Sequence, residues 1–125
     1  MVDKSIVKSL RAYIRALRAR GIKASFVVVF GSWAKGRADE GSDIDVVVVS
    51  PQFDKHIRLS DVGLLWLVAA EIDNRIEPIP CGEKQWTDDD SSAIIEIARR
   101  EGRRIGTRSS RRRATVRLSP RVTPI

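Results

Sequence analysis

The chain has little of what several kinds of protein require. Its 125 residues hold one cysteine, Cys81, and one histidine, His56. A single cysteine excludes an internal disulfide framework and a cysteine-based zinc site. A free, buried thiol in a reducing cytoplasm is the expectation instead. A single histidine argues against histidine-centred catalysis, so any general base is expected to be a carboxylate. The opening MVDKSIVKSL lacks the apolar core of a secretory signal. No apolar run approaches the length that crosses a bilayer. A cytoplasmic protein that engages no membrane is expected.

Acidic residues are missing from one end. Residues 103–125 carry eight arginines and no acid, a net +8, whereas residues 1–102 sum to −1. The formal charge of +7 therefore belongs to the end of the chain, not to its body. The length suits one domain, expected over residues 1–102. Beyond Gly102 no periodic apolar pattern continues, so 103–125 reads as a tail that is disordered or ordered by a partner. It could touch RNA electrostatically, but it offers no aromatic ring on which a base could stack.

What the chain does have is concentrated in residues 26–50, FVVVFGSWAKGRADEGSDIDVVVVS. Two valine-rich runs, Phe26–Phe30 and Ile44–Val49, read as buried strands. The first ends in Gly31-Ser32, and the second opens with Asp43-Ile44-Asp45. Alternation along a strand points Asp43 and Asp45 the same way, roughly 7 Å apart along the backbone. Two such carboxylates raise each other's pKa unless a cation lies between them, and carboxylate oxygen suits magnesium. A glycine at a strand end lets backbone N–H groups approach a ligand. A helix starting near Ser32 would aim its positive end at a phosphate. Gly31 to Gly36 also has the glycine spacing of a P-loop, but Arg37-Ala38 stands where that motif needs Lys-Ser/Thr.

Around this stretch the pattern predicts a helix over 4–20, with Asp3 as N-cap, Gly21 as stop, and Ile6, Leu10, Tyr13, Ile14 and Leu17 inward. The first strand is expected over 22–30. Asp39 and Glu40 read as solvated turn residues. Ser60 is expected to cap a helix from Asp61 to about Asn74. That helix is apolar nearly all round, so it is buried in its own domain or at a homodimer interface. Residues 75–81 read as a third strand, held to an edge by Pro78 and Pro80. On it Glu77 points opposite to Ile76, as a third carboxylate joining Asp43 and Asp45 would; Glu71 and Asp73 are rivals. Residues 86–90 read as a connection. Asp88 or Asp90 is expected to cap a last helix to Glu101, packed by Ile94, Ile97 and Ala98. The sum is an α/β domain: a small mixed sheet of three or four strands with about three helices.

GSWAKGRADEGSDIDVVVV closely resembles the active-site motif of DNA polymerase β-like nucleotidyltransferases, above all the minimal nucleotidyltransferase (MNT) proteins. The resemblance implies that Gly31 and Ser32 hold the β- and γ-phosphates, with Lys35 or Arg37 in support. It implies that Asp43, Asp45 and a third acid on the third strand hold two magnesium ions. The family's third acid is usually aspartate; Glu77 departs from this. It implies transfer of a nucleotidyl group, AMP from ATP, to a hydroxyl. MNT antitoxins pair with HEPN toxins, so the implied acceptor is such a partner. Trp33 reads either as a base-stacking ring or as packing between helix and sheet. Two other classes stay open: a non-catalytic nucleotide- or partner-binding module that neutralises a toxin by contact, and an RNA-binding protein acting through its basic tail.

Overall fold

The inward stripe Ile6, Leu10, Tyr13, Ile14 and Leu17 folds as helix α1 (Lys4–Ala19) and is buried along its length. The computed structural model of the chain describes residues 2–39, 41–88 and 92–107. Asp3 caps α1, accepting a hydrogen bond from the Ser5 N–H at 2.7 Å. Gly21, at φ 96°, turns the chain out of it. The first strand, β1 (Phe26–Phe30), starts four residues later than the apolar pattern suggested. Next come β2 (Ile44–Val49), a 3-10 turn (Pro51–Phe53), helix α2 (Leu59–Ile72) and strand β3 (Ile76–Cys81). The short helix α3 (Glu83–Asp88), helix α4 (Ala93–Glu101) and strand β4 (Arg103–Ile105) follow.

The strands form one mixed sheet in the order β3-β2-β1-β4. β1 pairs antiparallel with β2 and β4, while β2 and β3 run parallel. The proline-bearing β3 is an edge strand, where missing N–H donors do least harm. Alternation divides the core in two. Val27, Val29, Ile44, Val46 and Val48 meet α1 and α2 on one face. Val28, Val47, Val49 and Cys81 meet Ile95 and Ala98 of α4 on the other. The Tyr13 hydroxyl donates to the Leu65 carbonyl at 2.9 Å, tying α1 to α2 inside the first layer.

Several local expectations are corrected. α2 starts at Leu59 with Arg58 at the cap position, so Ser60 lies inside the helix rather than at its cap. Leu65, Val68 and Ala69 are buried, but Trp66 and Leu67 are about half exposed. The helix is thus one-sided within its own domain. The expected connection over 86–90 is helical through Asp88, and Ser92 caps α4, its hydroxyl accepting from the Ile95 N–H at 3.3 Å. α4 is rotated from the expected face: Ile95 and Ala98 are buried, while Ile94 and Ile97 are exposed. The expected tail begins too early. Arg103–Ile105 is a strand paired with Val27–Val29 of β1, and Ile105 is buried in the α1 layer. Glu40, Asp90 and residues 108–125 lie outside the described residues.

Candidate active site

The site forms where β1 ends and β2 and β3 begin. Antiparallel register sets Asp45 beside Phe30, and parallel register sets it beside Glu77. Asp45 and Glu77 therefore share one face of the sheet, the face α4 partly covers. Asp43, exposed, stands two residues before Asp45 on the same side. The three acids expected to act together are brought together.

Their electrostatics agree with that placement. Burial, and then the charge of Asp43, push the Asp45 carboxyl above the ordinary carboxylate range. Glu77 is raised by desolvation, then by the charge of Asp43, by a hydrogen bond with the Asp43 carboxyl and by Asp45. None of the three is ion-paired with a described residue. The rival acids are engaged elsewhere: Glu71 with Arg20 at 3.3 Å, and Asp73 with Arg75.

Gly31 couples this cluster to the turn after β1. Its φ is 77°, and a Cβ there would lie 2.8 Å from Asp45 Oδ2. Only glycine lets the backbone approach the carboxylate so closely. The turn is not the helix expected at Ser32. Ala34 and Lys35 donate to the Gly31 carbonyl, Arg37 donates to the Ser32 carbonyl, and Gly36, at φ 72°, ends the turn. The Ser32 and Trp33 N–H groups donate to no described acceptor. Those two donors and the Ser32 hydroxyl face the role a phosphate-binding turn needs. Lys35 pairs with Glu101 at 3.0 Å on the surface, and Arg37 is exposed. Neither is fixed toward the carboxylates by a described contact. An exposed pair such as Lys35–Glu101 holds weakly.

Two features that sequence reasoning valued less hold the geometry. Trp33 packs against the α1 layer, and its indole N–H donates to the Ser42 carbonyl at 3.1 Å. The Arg75 guanidinium covers its ring at 5.6 Å. The ring is thereby a structural link between the Gly31 turn and the start of β2. Asp39, read as merely solvated, accepts from the Gly41 N–H and the Ser42 hydroxyl, both at 3.1 Å, and shapes the turn that delivers Asp43. An aspartate two residues before glycine is the signal for such a turn.

Arg75 also grips Asp73 through two nitrogens, at 3.0 and 2.7 Å, while its carbonyl accepts from Ile44 at 2.8 Å. This sets the register of β3 against β2, hence Glu77 beside Asp45. The hydrogen bonds from Arg75 hold the Asp73 carboxyl below its ordinary 3.8. A depressed carboxylate stabilises the fold above its unfolded pKa and loses that contribution as pH falls through its folded one. Asp73→Asn should therefore cost about 1 kcal/mol at neutral pH, discounted for partial exposure. The difference from the parent should vanish as pH drops below 3.8, measured by denaturant unfolding at a series of pH values.

Among the described residues no three His, Cys, Asp or Glu side chains form a ready-made metal cage. The donor set fits magnesium in its usual manner, through one or two carboxylates with water and substrate phosphates supplying the rest. Two carboxyls with raised pKa values thus lie beside N–H groups that donate to no described acceptor. The mixed sheet, with its acids at the strand ends next to a glycine turn, is the polymerase β-like nucleotidyltransferase fold.

The chain belongs to the nucleotidyltransferase domain family, which matches residues 10–113. Its structure is similar to that of a Sulfolobus solfataricus protein assigned as a nucleotidyltransferase. Identity is 17%, TM-score 0.57, and 82% of this chain and 81% of that one are covered. It is also similar to a toxin–antitoxin structure with AMP-PNP, at 19% identity and TM-score 0.54, covering 86% of this chain and 82% of that one. At these identities the likeness is one of fold. No curated protein matches the chain significantly.

Proposed function

We propose that this protein is a magnesium-dependent nucleotidyltransferase that moves AMP from ATP to a hydroxyl on a partner protein of the HEPN toxin type, and so acts as an antitoxin. The observation that carries the reading is the contact of Gly31 with Asp45, which sets a phosphate-binding turn against paired carboxylates. The fold's likeness to a toxin–antitoxin structure with AMP-PNP supports the choice of partner and nucleotide.

Asp43 and Asp45 would hold magnesium, with Glu77 within the same electrostatic cluster. Bound there, the ions supply charge neutralisation for the triphosphate and a lowered pKa for the acceptor hydroxyl. The Ser32 hydroxyl and the Ser32 and Trp33 N–H groups hold the phosphates, and Lys35 or Arg37 swings in to support them. Glu77 accepts the hydroxyl proton, its raised pKa suiting a base. The acceptor oxygen bonds to the α-phosphorus, the bond to the β-phosphate breaks, and pyrophosphate leaves.

The test is incubation with magnesium and each labelled nucleoside triphosphate, with and without the protein encoded beside the gene. Label on that partner from ATP, detected by gel and mass, is the expected result. If a confirmed complex forms and nucleotide binds, yet nothing is transferred, the protein is a binding module that neutralises by contact. Glu77→Asp, which restores the family's usual acid, is then the first variant to assay.

A further inference from the structure

A strongly charged groove lies outside the site. It has a volume of about 1500 Å³ and is lined by Lys4, Lys8, Arg11 and Arg15 of α1 and by Arg103 and Arg104 of β4. Phe26 and Ile105 add apolar surface, and no acid is among the described residues that line it. None of the six cations is ion-paired with a described acid. Six like charges around one groove repel each other and favour an anionic occupant.

The arrangement is regular. The α1 cations stand at i, i+4, i+7 and i+11, one face of a helix, and span about 16 Å at a rise of about 1.5 Å per residue. Arg11 Nε donates to the Gly106 carbonyl at 3.2 Å, which fixes β4 and its two arginines relative to this row. The Arg104 guanidinium lies over Phe26, 3.9 Å from the ring centre, and is exposed; paired with Val28, it borders the groove from the sheet face opposite α1. A guanidinium plane held in that way is a stacking surface for a base.

The chain's own end does not complement the groove: residues 108–125 add six arginines and no acid. A protein surface mixes signs at irregular intervals, whereas a polynucleotide strand carries one uniform charge per step. We propose that the groove between α1 and β4 binds the phosphate backbone of a single polynucleotide strand, with bases stacking on Arg104 and with little sequence preference. This does not rest on the transferase reading, and it is measured without nucleotide or magnesium.

The experiment is fluorescence anisotropy of labelled oligouridine, with oligodeoxythymidine in parallel, titrated with the full chain over a range of salt. Binding should weaken steeply with salt, and preference for oligouridine would identify the strand as RNA. Lys8→Ala/Arg15→Ala should weaken binding about tenfold and reduce the slope of log K against log salt by about 1.4, roughly 0.7 for each lost phosphate contact on a single strand. An unchanged melting temperature shows that this variant is folded. An unchanged slope in the variant would overturn the proposal, and would assign any binding to the tail if Arg111→Ala/Arg112→Ala/Arg113→Ala abolishes it. Absence of salt-dependent binding by the parent protein overturns it as well. So does displacement of oligouridine by polyglutamate at equal charge concentration, which would point to an acidic protein partner.

Discussion

Asp45→Asn should lower nucleotidyl transfer by about three orders of magnitude while making the metal-free protein more stable. The first effect follows from its position. Asp45 links both halves of the site: its carboxylate lies against Gly31, it pairs along the strands with Glu77, and it feels the charge of Asp43. Loss of one preorganised electrostatic group at a reacting centre costs about a hundredfold to a thousandfold in rate, and loss of a proposed metal ligand belongs at the upper end. The second effect has a worked sign. The folded carboxyl is raised above its ordinary 3.8 by burial and by Asp43. The folded state therefore binds the proton more tightly than the unfolded chain, and stability falls as pH rises through that window. At neutral pH the charge of Asp45 opposes folding, and asparagine removes it. Thermal unfolding should show Asp45→Asn melting above the parent without magnesium. Added magnesium should raise the melting temperature of the parent and leave the variant unmoved. A variant that transfers AMP at near-parental rates, or that responds to magnesium like the parent, would refute the assignment.

Gly31→Ala should abolish transfer for a different reason. The added Cβ meets Asp45 Oδ2 at 2.8 Å, and φ of 77° is unfavourable for any residue with a Cβ. The backbone strain costs about 1–3 kcal/mol. The contact is with the far end of the Asp45 side chain, whose base is held by strand pairing with both Phe30 and Glu77. Its carboxylate must turn away or the turn must lift from β2. Either movement separates the Ser32 and Trp33 N–H groups, the proposed phosphate donors, from the acids. Denaturant unfolding should show the stability loss, and nucleotide binding should weaken along with transfer. A Gly31→Ala protein as stable and as active as the parent would mean that the turn and Asp45 do not work as one unit.

Much of the fold was legible because its elements are strongly patterned. The α1 stripe from Ile6 to Leu17 has a clear helical period and a real cap at Asp3, so its bounds were read within one residue. The valine runs of β1 and β2 lie between glycine or serine signals. The misses fall where local pattern is weak. Ile22 and Ala24 are buried but not in the ladder, so burial alone drew the first strand too long. The expected α4 face included Ile94 and Ile97, because a nine-residue helix rich in isoleucine fits more than one rotation. Arg103–Ile105 read as tail because two of its three residues are arginine. Its strand comes from pairing with β1, which no window of neighbouring residues contains.

At the site, the sequence by itself determined which chemistry is present. Strand alternation places Asp43 and Asp45 on one side, and a glycine between a valine run and a serine marks a turn able to approach a ligand. These are properties of adjacent residues, and they need no fold to be read. Tertiary structure decided which groups meet. Parallel pairing, with register set by Arg75 and Asp73, brings Glu77 to Asp45 and leaves Glu71 and Asp73 engaged elsewhere. The folding of α1 against β4 gathers six distant cations into one groove. Both results depend on contacts between residues far apart in the chain, and the energies that choose among such contacts come from burial and pairing across the whole core.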